Sequence, residues 1–547
     1  MDAAMALLAD ARGRANRRLA GYDAATAAVI GAAAALGARW ALATLAEAEK
    51  SVRAKGLKMA STEAAIALAM AVPGVAAFKA REQAKVLAKM HKDKPPREDA
   101  LFELPAGRSA GEVASALGAM KDMDAAWQAR TSGTVYMGSE GMAEHEELVG
   151  KAVTQFLHSN PLHGDLFPSA QRCEAEVVAM CASLLHGDVR TTGVVGNMTS
   201  GGTESILMAV KSARDYARQT RGITDPELVM CENAHPAYDK AASYFGLRVV
   251  RTRARPGALD ADPAAMRRGC SRNTVLLIAS APSYPHGVVD DVTEIAATAK
   301  SLGACCHVDC CLGGFVVPFA KAAGVDLPPF DFAVPGVTSI SIDTHKYGLA
   351  PKGSSVVLYR SKELRRCMFS AATEWTGGLY VSPSVAGSRV GSLVVGAWAA
   401  LVHVGADGYA SNAKKILDAA KQMAQGIAKI DGLEIVGRPD AMVVAFGSVD
   451  QKALDIFKVN DALADKGWSL NPLQKPSALH FCLTMQHVDG AVDDFLRDLA
   501  ECVAYVRANP SWDGSGMAPI YGMATAMPDR GAIADLLTYY MDSSTDV

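Results

Sequence analysis

The sequence predicts an α/β protein: a large domain built on a mostly parallel sheet covered by helices, with a smaller α+β domain at the C-terminus. Two observations carry this. Between Val194 and Tyr359, short apolar and β-branched runs alternate with helical periods, the pattern of a sheet with helices on its faces. Beyond about Ser392, a long helical period leads into short strands separated by further helices. Length agrees, because 547 residues exceed one ordinary domain and half of them are hydrophobic, enough for a large buried core.

Residues 1–99 differ from the rest. Residues 24–46 are mostly alanine and other apolar types with Arg39 as the one charge, and the stretch is long enough to cross a bilayer. Alanine inserts weakly, and an arginine near the middle of a span costs about 2.5–3.5 kcal/mol. Basic residues flank both sides (Arg12, Arg14, Arg17 and Arg18 before; Lys50, Arg53, Lys55 and Lys58 after), so charge asymmetry does not orient the segment. An arginine- and alanine-rich start with few acids also fits a mitochondrial targeting segment. Residues 61–89 have an amphipathic helical period interrupted by Pro73-Gly74, and residues 92–99 form a charged, proline-bearing linker.

The catalytic body is expected over residues 100–391. Its strand-like runs are 229–230, 249–250, 275–279, 305–310, 339–342 and 355–359. The C-terminal domain, 392–547, has strand-like runs at 433–436, 442–446 and 479–483. A net charge of −3 and a pI near 6.5 give no electrostatic footprint for nucleic acid, so small-molecule partners are expected. Eleven cysteines, an odd number with two adjacent pairs in one run, do not make a disulfide framework and imply a reducing compartment.

Three segments carry chemistry. Thr199-Ser200-Gly201-Gly202-Thr203-Glu204 reads as a turn opening an amphipathic helix, whose free N–H groups and positive dipole end suit a phosphate. Cys305-Cys306-His307-Val308-Asp309-Cys310-Cys311 reads as a buried strand rather than a metal cluster, since paired ligands separated by short loops are absent. Alternation puts His307 and Asp309 on one face, and an aspartate at a strand's C-terminal end points into the crevice where such folds bind ligands. Asp343-Thr344-His345-Lys346 places a lysine in a short polar cluster, where burial could leave its amine partly neutral and able to form a Schiff base. Phosphate cradle, strand aspartate and lysine in this order make the parts list of a pyridoxal phosphate enzyme, with no metal. His235 lies between the first two in sequence and could lie flat on the cofactor ring.

With these residues in view, the chain resembles the sphingosine-1-phosphate lyase family, within the wider group of pyridoxal-dependent decarboxylases. The resemblance runs from about Asp122 to the C-terminus. It is carried by Ser132-Gly133-Thr134-Val135-Tyr136, Ser159-Asn160-Pro161-Leu162-His163, residues 199–208, 240–246, Pro285-His286-Gly287, His307-Val308-Asp309, residues 312–315, residues 343–353, Ala386-Gly387-Ser388-Arg389 and Ile520-Tyr521-Gly522-Met523. Cys310 stands where the family commonly has alanine.

The resemblance implies the fold type I architecture of pyridoxal phosphate enzymes. It also implies cleavage of phosphorylated sphingoid bases between C2 and C3 to a long-chain aldehyde and phosphoethanolamine. Lys346 is the implied covalent lysine and Asp309 the partner of the ring nitrogen, with Gly202 and Thr203 on the cofactor phosphate and Thr344 and His345 as further contacts. Gly387, Ser388 and Arg389 would reach the site of a second subunit in a homodimer. The substrate's phosphate would meet Lys352, Tyr136, Asn160 and His163. His345, Tyr521 and the substrate phosphate are all candidates to take the C3 hydroxyl proton. The family's eukaryotic members imply an N-terminal membrane helix in the endoplasmic reticulum with the catalytic part in the cytosol. Rival expectations are a pyridoxal-dependent amino-acid decarboxylase and a non-catalytic membrane-anchored interaction protein.

Overall fold

The computed structural model describes residue 81 and residues 101–125, 128–139, 141–514 and 530–544. The 24–46 segment, the 92–99 linker, nearly all of 61–89 and Tyr521 lie outside the described residues. The chain divides into two compact units, Met1–Ala100 with Pro528–Val547, and Leu101–Met527. In the first, Arg530–Ser544 is a helix. The three sheets described all belong to the second.

Helices α1 (Ala110–Lys121), α2 (Ala143–Gln155) and α3 (Pro168–Leu184) precede the large sheet. The sheet is then built by alternation: β1 (Val195–Thr199), α4 (Gly202–Arg221), β2 (Glu227–Cys231), α5 (Ala237–Phe245), β3 (Arg248–Thr252), α6 (Pro263–Gly269), β4 (Thr274–Ser280), α7 (Val292–Ser301), β5 (Cys305–Asp309), β6 (Ser339–Ile342) and β7 (Ser355–Tyr359). Its strand order is β1-β7-β6-β5-β4-β2-β3, and β7 alone runs against the others. This is the mostly parallel sheet that the alternating pattern predicts.

Strands such as β4, Thr-Val-Leu-Leu-Ile-Ala-Ser, are buried along their whole length because helices cover both faces. In β5 the alternation is explicit. Cys306 and Val308 enter one core with Ile295 and Ala299 of α7, whereas Cys305 and the following Cys311 enter the other with Ile206 and Val210 of α4. Helices α4 and α5 both stop at a left-handed glycine, Gly222 at φ 66° and Gly246 at φ 69°, the conformation that glycine supplies without a Cβ penalty.

After α8 (Lys362–Arg366) and a hairpin of β8 (Ser370–Ala372) and β9 (Tyr380–Ser382), the chain enters α9 (Gly391–Ile427). Among the described residues α9 is the one helix long and apolar enough to cross a membrane. It is broken at Gly405, whose φ of 62° and ψ of 174° are not helical, and Val394, Ala400, Ile416 and Met423 are buried in the protein's own core.

The second sheet is antiparallel, in the order β10 (Leu433–Ile435), β11 (Val443–Ser448), β13 (Ala478–Cys482) and β12 (Asn471–Leu473). Helix α10 (Ile456–Asp465) lies between β11 and β12 in sequence, and α11 (Ala491–Ala508) follows β13. The core of this part is aromatic. Phe481 packs edge-on to Phe495 at 4.9 Å, Phe495 to Trp468 at 5.1 Å, and the buried Trp468 indole N–H donates to Asp498 Oδ2 at 2.8 Å.

Two contacts are made along the second sheet. Ser132 and Gly133 lie along the second sheet: Ser132 N donates to Ser469 O at 2.8 Å, Gly133 N to Cys482 O at 2.8 Å, and Cys482 N to Ser132 Oγ at 2.9 Å. Gly287, at φ 69°, passes so close to β11 that a Cβ there would stand 2.5 Å from Val443 O. Replacing Gly287 with alanine therefore combines a disfavoured backbone conformation with a clash against backbone that cannot yield. Gly287→Ala is expected to lower unfolding free energy by about 2–4 kcal/mol, read as a fall in thermal midpoint against wild type.

Candidate active site

The C-terminal ends of β1, β4, β5 and β6 open on one cavity of about 580 Å³, within the range of roughly 300–1,000 Å³ typical of small-molecule sites. β5 delivers Asp309 and the turn after it delivers Cys311; β4 delivers Ser280. The turn after β1 delivers Ser200 through Glu204, and the turn after β6 delivers Asp343, His345 and Lys346.

Lys346 Nζ lies 2.9 Å from Asp343 Oδ2, and the Asp343 side chain is 1% exposed. Burial alone would lower the lysine's pKa, but the Asp343 carboxylate outweighs it and the ammonium is held above its ordinary range. This corrects the expectation of a partly neutral amine: the same polar cluster that suggested reactivity contains the counter-ion that keeps the proton on. Asp343 correspondingly sits below its usual value despite burial, because the Lys346 charge stabilises its anion. Its other oxygen, Oδ1, is buried without a hydrogen-bond partner among the described residues.

Above this pair runs the N-terminus of α4. A Cβ on Gly202 would stand 2.7 Å from Asp343 Oδ2 and 2.9 Å from Cys311 Sγ, so the close approach requires glycine. Ser200 N and Oγ both donate to the Glu204 carboxylate, at 2.7 and 2.6 Å, closing the turn before the helix. Asp309 is 8% exposed, and its Oδ1 accepts from Cys311 N at 3.1 Å. His235 faces the cavity with Nδ1 accepting from Ala237 N at 3.2 Å. His345 donates from Nδ1 to Ser354 O at 2.6 Å, which leaves Nε2 as the acceptor of the neutral ring; burial lowers its pKa despite the Asp343 charge 3.8 Å away.

A second cation stands at the mouth. Lys352 is exposed on its outer side, but its ammonium lies 4.7 Å over the ring of Tyr136. Desolvation on that side, helped by repulsion from Lys346, lowers its pKa to about 8. Tyr136 packs edge-on to Tyr347 at 5.0 Å, and Tyr347 donates to Leu483 O at 2.5 Å, so the second sheet fixes this corner.

The structure thus gathers Lys346, Asp309, His235, Gly202, Thr203, His345, Tyr136 and Lys352 around one cavity. Others lie elsewhere. Thr344 points inward and donates to Ser354 Oγ at 2.8 Å. Asn160 receives Arg389 N at 3.1 Å and donates to Ser388 Oγ at 3.2 Å, while Arg389 pairs with the buried Glu174. Gly387 stands against the Tyr380 hydroxyl, and His163 is exposed. None of these lines the cavity, and Tyr521 lies outside the described residues. His307 is buried with its two ring nitrogens on the hydroxyls of Ser339 and Ser341, and the Cys310 thiol turns to Ala281 O. Tyr284, Asn471 and Cys482 line the cavity without having been singled out from sequence. Asn471 and Cys482 come from β12 and β13, which no motif connects to the lysine.

Residues 135–449 match the pyridoxal-dependent decarboxylase conserved domain family. The chain is 50% identical over 497 residues to a sphingosine-1-phosphate lyase from Arabidopsis thaliana, with 90% of each chain covered. It is 46% identical to one from Oryza sativa subsp. japonica over all 547 residues, with 100% of each covered. Among solved structures, a sphingosine-1-phosphate lyase from Burkholderia pseudomallei superposes with a TM-score of 0.74 at 38% identity, covering 82% of this chain and 98% of its own. A glutamate decarboxylase from Lactobacillus brevis, at 19% identity and a TM-score of 0.65, covering 76% of this chain and 96% of its own, shares the fold.

The close approach at Gly202 gives a direct test of the cradle. Gly202→Ala places a methyl against Asp343 and Cys311 and narrows the floor of the cavity. It is expected to weaken pyridoxal phosphate binding by the apoprotein at least tenfold, measured by absorbance titration, while far-UV circular dichroism is unchanged.

Proposed function

The chain belongs to the sphingosine-1-phosphate lyase family, and from that premise we propose how its residues divide the work. The protein is a pyridoxal phosphate-dependent lyase that acts on phosphorylated sphingoid bases. The bond cleaved is C2–C3, giving a long-chain aldehyde and phosphoethanolamine. The amino-acid decarboxylase reading is not preferred, since the relatives of high identity over most of the chain are lyases.

The residues fit the cofactor. The helix N-terminus of α4 with its glycines at 201 and 202 lines the cavity as an anion site, the lysine stands beside it paired to Asp343 Oδ2, and the strand-end carboxylate of Asp309 lines the same cavity. Lys346 is the covalent tether, the backbone N–H groups of Gly202 and Thr203 take the phosphate, His235 covers the ring, and Asp309 keeps a proton on the ring nitrogen by its charge. Bound there, the cofactor supplies an electron sink for the carbon next to the substrate's amine. Asp343 takes up the Lys346 charge when the lysine is free and so holds the amine in the cavity between turnovers. His345, neutral with Nε2 open, is the described group best arranged to accept the C3 hydroxyl proton; Tyr521 and the substrate phosphate remain the other candidates of this reading.

The observation that carries the substrate assignment is Lys352, a second cation at the mouth beside Tyr136. It offers a charge to the substrate's own phosphate beside Tyr136; Asn160 and His163 do not line this cavity in the single chain and would join the subsite only in the homodimer proposed next. A homodimer in which Gly387, Ser388 and Arg389 complete the neighbouring subunit's site is part of the same proposal, supported by the family motif they belong to. So is an anchor at residues 24–46 in the endoplasmic reticulum membrane with the catalytic part in the cytosol, supported by the length and apolarity of that stretch. A mitochondrial location is the alternative.

The test is incubation of the loaded protein with a phosphorylated and an unphosphorylated long-chain base, with identification of aldehyde and phosphoethanolamine. Products from the phosphorylated base alone are expected. Lys352 is charged below about pH 8 and loses its charge as pH rises through that value. Accordingly kcat/KM for the phosphorylated base should fall above about pH 8. Lys352→Arg should move that limb upward, and Lys352→Met should lower kcat/KM by roughly tenfold to a hundredfold with cofactor absorbance intact. An unchanged kcat/KM in Lys352→Met would contradict the phosphate subsite.

A further inference from the structure

The turn that follows Lys346 is held by side chains that the reaction itself does not use. Leu349 adopts φ 55°, a left-handed value that a leucine keeps only when its surroundings impose it. Two neighbouring carbonyls of this turn accept hydrogen bonds from distant helices. Gly348 O accepts from the Tyr409 hydroxyl of α9 at 2.8 Å, and Leu349 O lies 2.8 Å from His145 Nε2 of α2. A carbonyl can only accept, so Nε2 carries the proton of the His145 ring. Its Nδ1, 3.1 Å from Nδ1 of His403, is then the acceptor, and His403 donates. His145 and Tyr409 are each 5% exposed, and Tyr409 packs on Phe315 at 5.0 Å, so neither ring is free to swing away.

The turn is equally constrained from its other side. Leu349 N donates to Lys346 O at 3.0 Å and Ala350 N to Thr344 O at 3.1 Å, while a Cβ on Gly348 would stand 2.5 Å from Thr344 O. The turn is therefore held on both sides, and two of its own hydrogen bonds end on Lys346 O and on Thr344 O, the carbonyls of the lysine and of the residue two before it. We propose that His145 and Tyr409 are positioning residues that fix the approach of Lys346 to the cavity by holding Leu349 O and Gly348 O, with His403 setting the His145 tautomer. This rests on the reading of Lys346 as the covalent lysine and names the groups that aim it.

The test uses the full chain in three variants. His145→Leu removes the donor, His145→Gln keeps an N–H at the position of Nε2, and Tyr409→Phe removes only the hydroxyl. His145→Leu and Tyr409→Phe are each expected to lower kcat by roughly tenfold with KM for the phosphorylated base unchanged. They should also weaken cofactor binding by the apoprotein and speed hydrogen exchange across residues 344–350. His145→Gln should restore kcat to within about threefold of wild type. Wild-type kcat, cofactor affinity and exchange in both donor-less variants would overturn the proposal. So would equal impairment of His145→Leu and His145→Gln in step with their thermal midpoints, which is the signature of packing alone. Should His145→Leu fail to fold, Tyr409→Phe decides by itself. Failure of the underlying reading looks different, because the cofactor would then not be attached at Lys346 in the wild-type protein.

Discussion

A lysine ammonium 2.9 Å from an almost fully buried carboxylate is the contact around which this site is organised. Neither group would tolerate the position alone, since an unpaired buried charge costs several kcal/mol. Together they hold the amine at the rim of a parallel sheet, where strand ends, helix N-termini and their dipoles converge. The pair also dictates its neighbours. Nothing larger than glycine can stand at 202, because the Asp343 carboxylate and the Cys311 thiol pack directly against the start of α4. The ion pair raises the pKa of Lys346 against the effect of its burial.

The second constraint is that the site is closed by parts of the chain far apart in sequence. Ser132 and Gly133 hydrogen-bond along the antiparallel sheet, and Tyr347 reaches Leu483 from the lysine turn. Tyr136 and Lys352 stack where these segments meet, which gives the mouth a partly desolvated cation. Such a lysine changes charge near pH 8, and the substrate class follows from family membership.

Much of this is legible in the sequence. The buried strands announce themselves by apolar runs and glycine-ended helices, and Asp309, Gly202 and Lys346 follow from strand-end and turn chemistry. β1 was not legible, because Val-Gly-Asn-Met-Thr mixes polar residues into a strand whose register is set by β7. Cys482 and Asn471 carry no local signature, since only the packing of the second sheet brings them to the cavity, and Tyr284 reaches it from the turn after β4. Thr344 was misleading for a related reason: its place in the motif is beside the lysine, but its hydroxyl serves Ser354. Asn160, Ser388 and Arg389 cluster with one another and with Glu174, outside the cavity of the single chain. The charge state of Lys346 also escaped, because sequence shows the polar neighbours without showing which of them is within reach.

The most direct measurement is the identity of the lysine that carries the cofactor. Borohydride reduction of the loaded protein, followed by peptide mapping, should place the pyridoxyl group on Lys346. Labelling of Lys352 or any other lysine in its place, or no label at all, would contradict the account.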